Sequence, residues 1–189
     1  MRFGFIAVLS FLVLFSSMNA QEKKEPRKSL DASVSQTIGL DVVMHVDYSR
    51  PGVKGRKIFG ELVPFGLEPG NKYSDNKPYP WRGGANESTR IEVSSDILVE
   101  GQTLPAGQYS LHFIPSEGDW TVIFNKNIEL WGSYKYNQEE DALRITVTPV
   151  KDNHQEWLAY GFEDLAGYSA TFFLRWDNLK IPVKVSVAE

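Results

Sequence analysis

Apolar and polar residues alternate with a period of two in a succession of short segments along this chain. In residues 41–49, for example, the even-numbered side chains from Val42 to Tyr48 are apolar, and most of the odd-numbered ones are polar. Because neighbouring side chains of a β-strand point to opposite faces, this pattern predicts a strand that buries only one face. The other segments with the same pattern are residues 109–113, 120–124, 143–147, 158–162, 170–176 and 181–187.

Turn-forming residues separate these segments. Residues 115–119 are predicted as a hairpin loop, and residues 105–107, 152–153, 166–167 and 177–178 are predicted as further turns. Many short strands in this arrangement predict an all-β fold, an antiparallel and jelly-roll-like β-sandwich, because the apolar faces are too numerous for one open sheet. Apolar residues at helical spacing predict one or two short helical turns, in residues 54–63 and 127–134.

The N-terminus predicts export of one folded domain. Arg2 precedes an apolar run from Phe3 to Phe15, and a polar stretch follows Ala20, which are the parts of a secretory signal peptide. We therefore predict a signal peptide in residues 1–20, a polar linker in residues 21–33 and a single β-sandwich domain in residues 34–189. The apolar run is too short to span a bilayer, so we expect no stable membrane insertion. The signal peptide predicts a periplasmic or extracellular location.

The composition excludes several classes of function. The chain has no cysteine, which excludes disulfides, zinc–thiolate sites, iron–sulfur clusters and thiol nucleophiles. Its formal net charge of −4 argues against nucleic acid as a partner. His45, Asp47 and His112 fall on predicted polar strand faces and would form a metal site only if their strands were neighbours. No metal and no cofactor are predicted.

Two polar stretches carry the strongest candidates for a functional site. Residues 47–57 and 81–89 each combine arginine, an acid and glycines at a predicted junction of strand and loop. Arginine offers a fork of donors that suits carboxylate, phosphate or hydroxyl groups, and a tryptophan supplies a face for stacking. The residues predicted to bind a small polar or anionic ligand, or a glycan, are Asp47, Arg50, Arg56, Trp81, Arg82, Asn86 and Glu87.

The same residues allow two other interpretations. Asp47 and Glu87 would serve a hydrolase of glycosides if they lay about 5 to 9 Å apart and one of them had a raised pKa. Alternatively, Arg50 pairs with Asp47 and Arg82 pairs with Glu87 in a structural envelope protein that has no ligand, because structural ion-pair networks use the same residue types as sites. These three interpretations stay open at the level of sequence.

Aromatic residues also occur on two polar loops. Residues 67–80 contain Tyr73 and Tyr79, and residues 131–136 contain Trp131 and two further tyrosines. Aromatic rings on such loops can stack on sugar rings. We expect instead that the first loop folds back over the edge of the sandwich and that the second anchors in the core.

These motifs resemble those of a known family, the domain of unknown function 2911 family of exported bacterial proteins. The resemblance runs from about residue 33 to the C-terminus, and it implies export and one domain without supplying a reaction. The connection formed by residues 67–80 is longer than in the commoner pattern and resembles a longer-loop subgroup. The motifs that carry the resemblance are residues 48–51 (YSRP), 54–56 (KGR), 58–60 (IFG), 62–64 (LVP), 81–82 (WR), 84–87 (GANE), 104–107 (LPAG), 109–111 (YSL), 120–121 (WT), 131–132 (WG) and 141–144 (DALR).

Overall fold

Two antiparallel β-sheets pack against each other in the computed structural model, which describes residues 25–188. The predicted signal peptide, residues 1–20, lies outside the described residues. The strands are β1 (Leu30–Ile38), β2 (Val42–Arg50), β3 (Thr89–Val93), β4 (Ile97–Val99), β5 (Gln102–Leu104), β6 (Gly107–Ile114), β7 (Trp120–Asn125), β8 (Asp141–Val147), β9 (Val150–Ala166) and β10 (Ser169–Val187).

The larger sheet has the strand order β1-β2-β3-β6-β7-β8, and the smaller sheet has the order β5-β4-β10-β9. All strand pairs in both sheets are antiparallel. The prediction of an all-β antiparallel sandwich is therefore confirmed. The sheets hold six and four strands, whereas a jelly roll is built from eight.

The core lies between the two sheets, and the alternating pattern explains its composition. On β2, for example, Val42, Met44 and Val46 are buried, whereas Val43 and Asp47 are exposed. Burial of an apolar side chain of this size stabilises the fold by about 1.5–3 kcal/mol. The largest fully buried side chains are Trp120, Trp176, Phe113, Phe124 and Phe172.

The segment between β2 and β3 closes one end of the sandwich. The Phe59 ring packs edge-on against Trp120 and Trp176, with ring centroids 5.0 and 6.1 Å away. Phe59 thereby buries apolar surface without belonging to a helix or a strand. The helical turn predicted in residues 54–63 was wrong, because apolar residues in this segment face the end of the sandwich instead of lying on one side of a helix. Gly60 also takes a positive φ of 88°, which does not belong to a right-handed helix.

The second predicted helical turn, in residues 127–134, was also wrong, because this segment is irregular up to residue 130 and then forms a bend and a turn. The helical residues among those described form a single 3-10 turn at Gln138–Glu140. Its preceding residue, Asn137, accepts a hydrogen bond from the backbone N–H of Glu139, which is the usual way to begin a helical turn. No helix in residues 25–188 is long and apolar enough to cross a membrane.

Two predicted turns lie inside long strands instead. Residues 152–153 belong to β9 and residues 177–178 belong to β10, and the pairing of the two strands shifts register on both sides of Asp177. Asp177 has a φ of 52°, so its turn-forming character appears as a bulge within the hairpin. β1 begins at Leu30 and so includes the last four residues of the predicted linker.

Candidate functional site

An open depression of about 510 Å3 lies on the outer face of the six-stranded sheet. We call it the charged depression. Asp47 on β2 is the cross-strand partner of Ser33 on β1 and of Arg90 on β3, so these side chains share the face that points away from the core. The lining residues are Arg27, Asp31, Ala32, Ser33, Asp47, Tyr48, Ser49, Glu87, Ser88 and Arg90.

Arg27, which precedes β1, forms ion pairs with two acids of the charged depression. Its Nη1 lies 3.0 Å from Oδ1 of Asp31, and its Nη2 lies 2.5 Å from Oε2 of Glu87. Partial burial raises the pKa of Glu87, but the hydrogen bond from Arg27, a backbone hydrogen bond and the positive charge of Arg27 outweigh it, so this pKa lies below its ordinary value. Glu87 is therefore ionised at neutral pH and pairs with Arg27, not with Arg82.

Asp47 and Arg90 are the charges of the depression that the protein itself engages least. The Asp47 side chain is 61% exposed and contacts Nε2 of His45 at 3.1 Å, and it forms no ion pair with Arg50. Arg90 is exposed, and its guanidinium takes part in no ion pair among the described residues. Cross-strand partners of an antiparallel pair have Cβ atoms about 4.5–5.5 Å apart. A small ligand can therefore contact both side chains at once.

The structure places Arg50 and Arg56 outside the charged depression. Arg50 donates from Nε to the carbonyl oxygen of Leu158 at 2.8 Å, which links β2 to β9 in the other sheet. Arg56 donates to the carbonyl oxygens of Gly52 and Val53 at 2.6 and 3.1 Å. Both arginines therefore satisfy backbone acceptors at the edge of the sandwich.

Trp81 is buried and offers no face for stacking on a ligand. Its ring lies parallel to that of Trp176 at a centroid distance of 6.0 Å, and its backbone pairs with Phe113 of β6. The next turn depends on Gly83, which has a φ of 62°. A Cβ atom there would lie 2.6 Å from the Phe113 ring and would collide with the Tyr160 hydroxyl. Trp81 and Gly83 therefore belong to the core and its boundary.

Arg82 and Asn86 stabilise the loop between Trp81 and β3. Arg82 donates from Nη1 to the carbonyl oxygen of Asn86 at 2.6 Å, and its guanidinium lies 5.0 Å from the centre of the Tyr134 ring. Asn86 donates from Nδ2 to the carbonyl oxygen of Ser29 at 3.2 Å. Gly132 packs against the Arg82 guanidinium so closely that any Cβ atom would displace it. These contacts make both residues parts of the scaffold.

His112 is fully buried in a polar cluster on the outer side of β6. Ser110 lies 2.8 Å from its Nε2 and Ser133 lies 2.7 Å from its Nδ1, both through Oγ. Burial, and secondarily the positive charge of Arg82, lower the pKa of His112 to about 3. The imidazole is therefore neutral at physiological pH, with one ring nitrogen donating a hydrogen bond and the other accepting one.

A metal site of His45, Asp47 and His112 is not formed. His45 contacts Asp47 on the exposed face of β2, whereas His112 is enclosed by its serine partners. Among the described residues, no group of three or more histidine, aspartate or glutamate side chains is arranged to hold a metal ion. His112 lies on the predicted polar face of β6, beside Ser110, but it is buried there because residues around Ser133 cover this part of the sheet.

The two aromatic loops lie side by side. Tyr79 is buried, as expected for a loop that covers the sandwich, but Tyr73 is exposed. Trp131 was expected to anchor in the core, and this is wrong, because the side chain is 59% exposed. Tyr134 lies between the loops, with its ring centre 5.5 Å from that of Tyr73 and 5.2 Å from that of Tyr79.

Sequence reasoning missed Arg27, Asp31, Ser49 and Arg90 as lining residues of the charged depression. Arg27 and Asp31 fell in the segment predicted as a linker. Arg90 follows the second polar stretch directly, and its position opposite Asp47 depends on a strand, β3, that was not among the predicted ones. The alternating pattern of residues 89–93 (TRIEV) is the signal that would have predicted the strand that carries Arg90.

A family model described as "Protein of unknown function (DUF2911)" matches residues 29–185. No match was found among curated proteins, and none among solved structures.

Proposed function

We propose that this chain, which belongs to the DUF2911 family, binds a small polar ligand in the charged depression. The observation that carries the proposal is the position of Asp47 and Arg90, which lie opposite each other on neighbouring strands. Both side chains are exposed, and they form no ion pair with each other. The pair offers a carboxylate acceptor and a forked donor to the same ligand.

The charges favour a ligand with an anionic group beside hydroxyl or amino groups. Arg90 suits a carboxylate or phosphate, which it can bind through two parallel hydrogen bonds. Asp47 suits a hydroxyl or ammonium group. Since Trp81 is buried, the depression lacks the stacking face expected for a glycan at this site, so we favour a charged small molecule such as a sugar acid, a hydroxycarboxylate or an amino acid.

Two observations favour binding over hydrolysis. A glycoside hydrolase needs one carboxyl group with a raised pKa as the general acid. The pKa of Glu87 is instead below its ordinary value. Glu87 and Asp31 also both form ion pairs with Arg27. Glu87 is thus suited to holding Arg27 in place rather than to donating a proton.

We also propose that the protein acts after export. The support is the signal-peptide pattern of residues 1–20. Expression with the full leader and intact-mass measurement of the exported fraction test this. A mature chain that begins near Gln21 is expected, and a cytoplasmic chain that retains Met1 would contradict it.

The binding proposal is tested by a thermal-shift screen followed by titration calorimetry. The panel comprises malate, citrate, galacturonate, glutamate, nucleoside monophosphates and neutral monosaccharides. A ligand that binds only the folded state raises the free energy of unfolding by RT ln(1 + [L]/Kd), and it therefore raises the melting temperature. We expect at least one anionic member to do so. Asp47→Asn and Arg90→Ala should each weaken its affinity by about tenfold or more, as expected for the loss of a hydrogen bond to a charged group.

Asp41→Asn is the matched control, because Asp41 is also an exposed aspartate beside β2 but does not line the charged depression. It should bind as the unaltered protein does. If no compound raises the melting temperature, or if Asp47→Asn and Asp41→Asn bind equally well, the proposal fails and a structural envelope protein is the better interpretation.

A further inference from the structure

A second depression, of about 470 Å3, lies between the two aromatic loops. Three rings line it: Tyr73 from the longer loop, and Trp131 and Tyr134 from the segment between β7 and β8. We call these three residues the aromatic platform. It is separate from the charged depression, with which it shares no lining residue.

The floor of the platform is fixed in place. The Tyr134 ring lies beneath the Arg82 guanidinium at 5.0 Å, and the Tyr79 ring meets it edge-on at 5.2 Å. Cation–π and edge-to-face contacts of this kind both stabilise the position of the ring. Arg82 is itself held by the carbonyl oxygen of Asn86. A ligand would therefore meet a preformed aromatic surface.

The rings beside this floor are left open to solvent. Trp131 is 59% exposed and Tyr73 is 57% exposed, and both line the same depression as the half-buried Tyr134. An isolated exposed aromatic residue needs no explanation, but several exposed rings that line one concavity are typical of a recognition surface. The Tyr73 ring is tilted by 32° from that of Tyr134 with the ring centres 5.5 Å apart, so the two rings are partly stacked on each other.

Polar groups surround these rings. Asn127, Glu129 and Lys135 line the same depression. Glu129 is exposed, and its carboxylate makes no hydrogen bond to another described residue. Lys135 is fixed by an ion pair with Asp75 at 2.7 Å. The rim thus offers hydrogen-bond acceptors and donors at the edge of flat apolar faces.

We propose that the aromatic platform binds a carbohydrate through stacking of a pyranose ring. The C–H bonds on one face of a sugar ring carry partial positive charge and pack against the negative face of an aromatic ring, while the equatorial hydroxyl groups point outwards to polar side chains. An apolar peptide would leave the Glu129 carboxylate desolvated without a partner, which is unfavourable. The mixture of flat rings and polar rim therefore fits a sugar better.

Titration calorimetry with cellohexaose, xylohexaose, maltohexaose and chitohexaose tests the proposal. We expect at least one of these probes to bind, and Trp131→Ala and Tyr73→Ala each to weaken its affinity by about tenfold or more. Trp157→Ala is the matched control, because Trp157 is a half-exposed tryptophan on β9 outside the platform. The melting temperature of each variant shows whether it is folded.

A fluorescence measurement gives a second readout. In a Trp157→Phe background, Trp131 is the remaining exposed tryptophan among the described residues, because Trp81, Trp120 and Trp176 are buried. The bound sugar should protect Trp131 from quenching by acrylamide.

Binding of no probe at millimolar concentration, or equal affinity of the Trp131→Ala and Trp157→Ala proteins, would overturn the proposal. The Asp47→Asn/Arg90→Ala double variant should bind the sugar normally, so failure of this proposal and failure of the charged depression are distinguishable.

Discussion

The arginine side chains of this protein have two kinds of partner. Arg50, Arg56 and Arg82 donate hydrogen bonds to backbone carbonyl oxygens. Arg27 instead pairs with carboxylates at the surface, and Arg90 has no ion-pair partner among residues 25–188. Because a guanidinium has five donors in a fixed plane, it satisfies several acceptors in a loop at once. The first group should therefore affect stability, and Arg90 should affect binding.

Replacement of Arg82 tests its structural role. Arg82→Ala removes the hydrogen bond to Asn86 and the contact with the Tyr134 ring, so we expect the free energy of unfolding to fall by about 1–3 kcal/mol. Arg82→Lys keeps the charge but lacks the planar fork, and it should recover only part of the loss. Urea unfolding measures both. A loss no larger than that of Arg90→Ala would contradict the role assigned to Arg82.

His112 predicts a pH dependence of stability. Its pKa is about 3 in the folded protein, against 6.5 for an unperturbed histidine. Below pH 6.5 the unfolded chain therefore binds a proton that the folded chain does not, and the free energy of unfolding should fall by up to about 1.4 kcal/mol per pH unit. Most carboxylates stay ionised between pH 6.5 and 5, so this range separates the effect of His112 from their titration.

Urea unfolding across this pH range should give a flatter slope for His112→Asn than for the unaltered protein, because the titrating group is gone. Equal slopes for His112→Asn and the unaltered protein would show that His112 is not held neutral by its surroundings.

At the scale of elements, the long hairpin of β9 and β10 depends on its bulge. The two strands contain 17 and 19 residues, and the register shifts around Asp177 let them remain paired. A positive φ is readily adopted by glycine, is tolerated by aspartate and is strained for a β-branched residue. The residue at this position therefore decides how easily the hairpin forms.

Two substitutions separate backbone conformation from charge at Asp177. Both Asp177→Gly and Asp177→Val remove the carboxylate, but only valine strains the left-handed backbone. We expect Asp177→Val to be less stable than Asp177→Gly by about 1–2 kcal/mol. Thermal unfolding of the pair measures the difference, and equal melting temperatures would show that the bulge carries no such constraint.

At the scale of the whole molecule, alternation in the sequence was sufficient to predict the sandwich. Strands such as β2 and β10 pack one face on the core, so their period of two is visible without knowledge of their partners. The loops were not predictable in this way. Trp81 is buried and Phe59 is partly buried because loops fold over the end of the sandwich, and no local pattern distinguishes this from a helical turn or an exposed ring.

The candidate site was predictable only in part, for a related reason. Asp47 and Glu87 do line the charged depression, but Arg27 lies 60 residues before Glu87 in sequence. Their pairing follows from the way the segment before β1 lies against the loop before β3. Arg50, Arg56, Arg82 and Asn86 have the residue types of a binding site, and the structure uses their donors on backbone carbonyl oxygens.

Arg90 and Arg82 have separate roles in this account: Arg90 contributes to affinity and Arg82 to stability. Titration calorimetry of the best anionic ligand, with urea unfolding of the same preparations, measures both. Arg90→Ala should lose about tenfold or more in affinity at unchanged stability, whereas folded Arg82→Ala should bind normally and be less stable. If Arg82→Ala loses affinity and Arg90→Ala does not, the ligand site has been placed in the wrong part of the molecule.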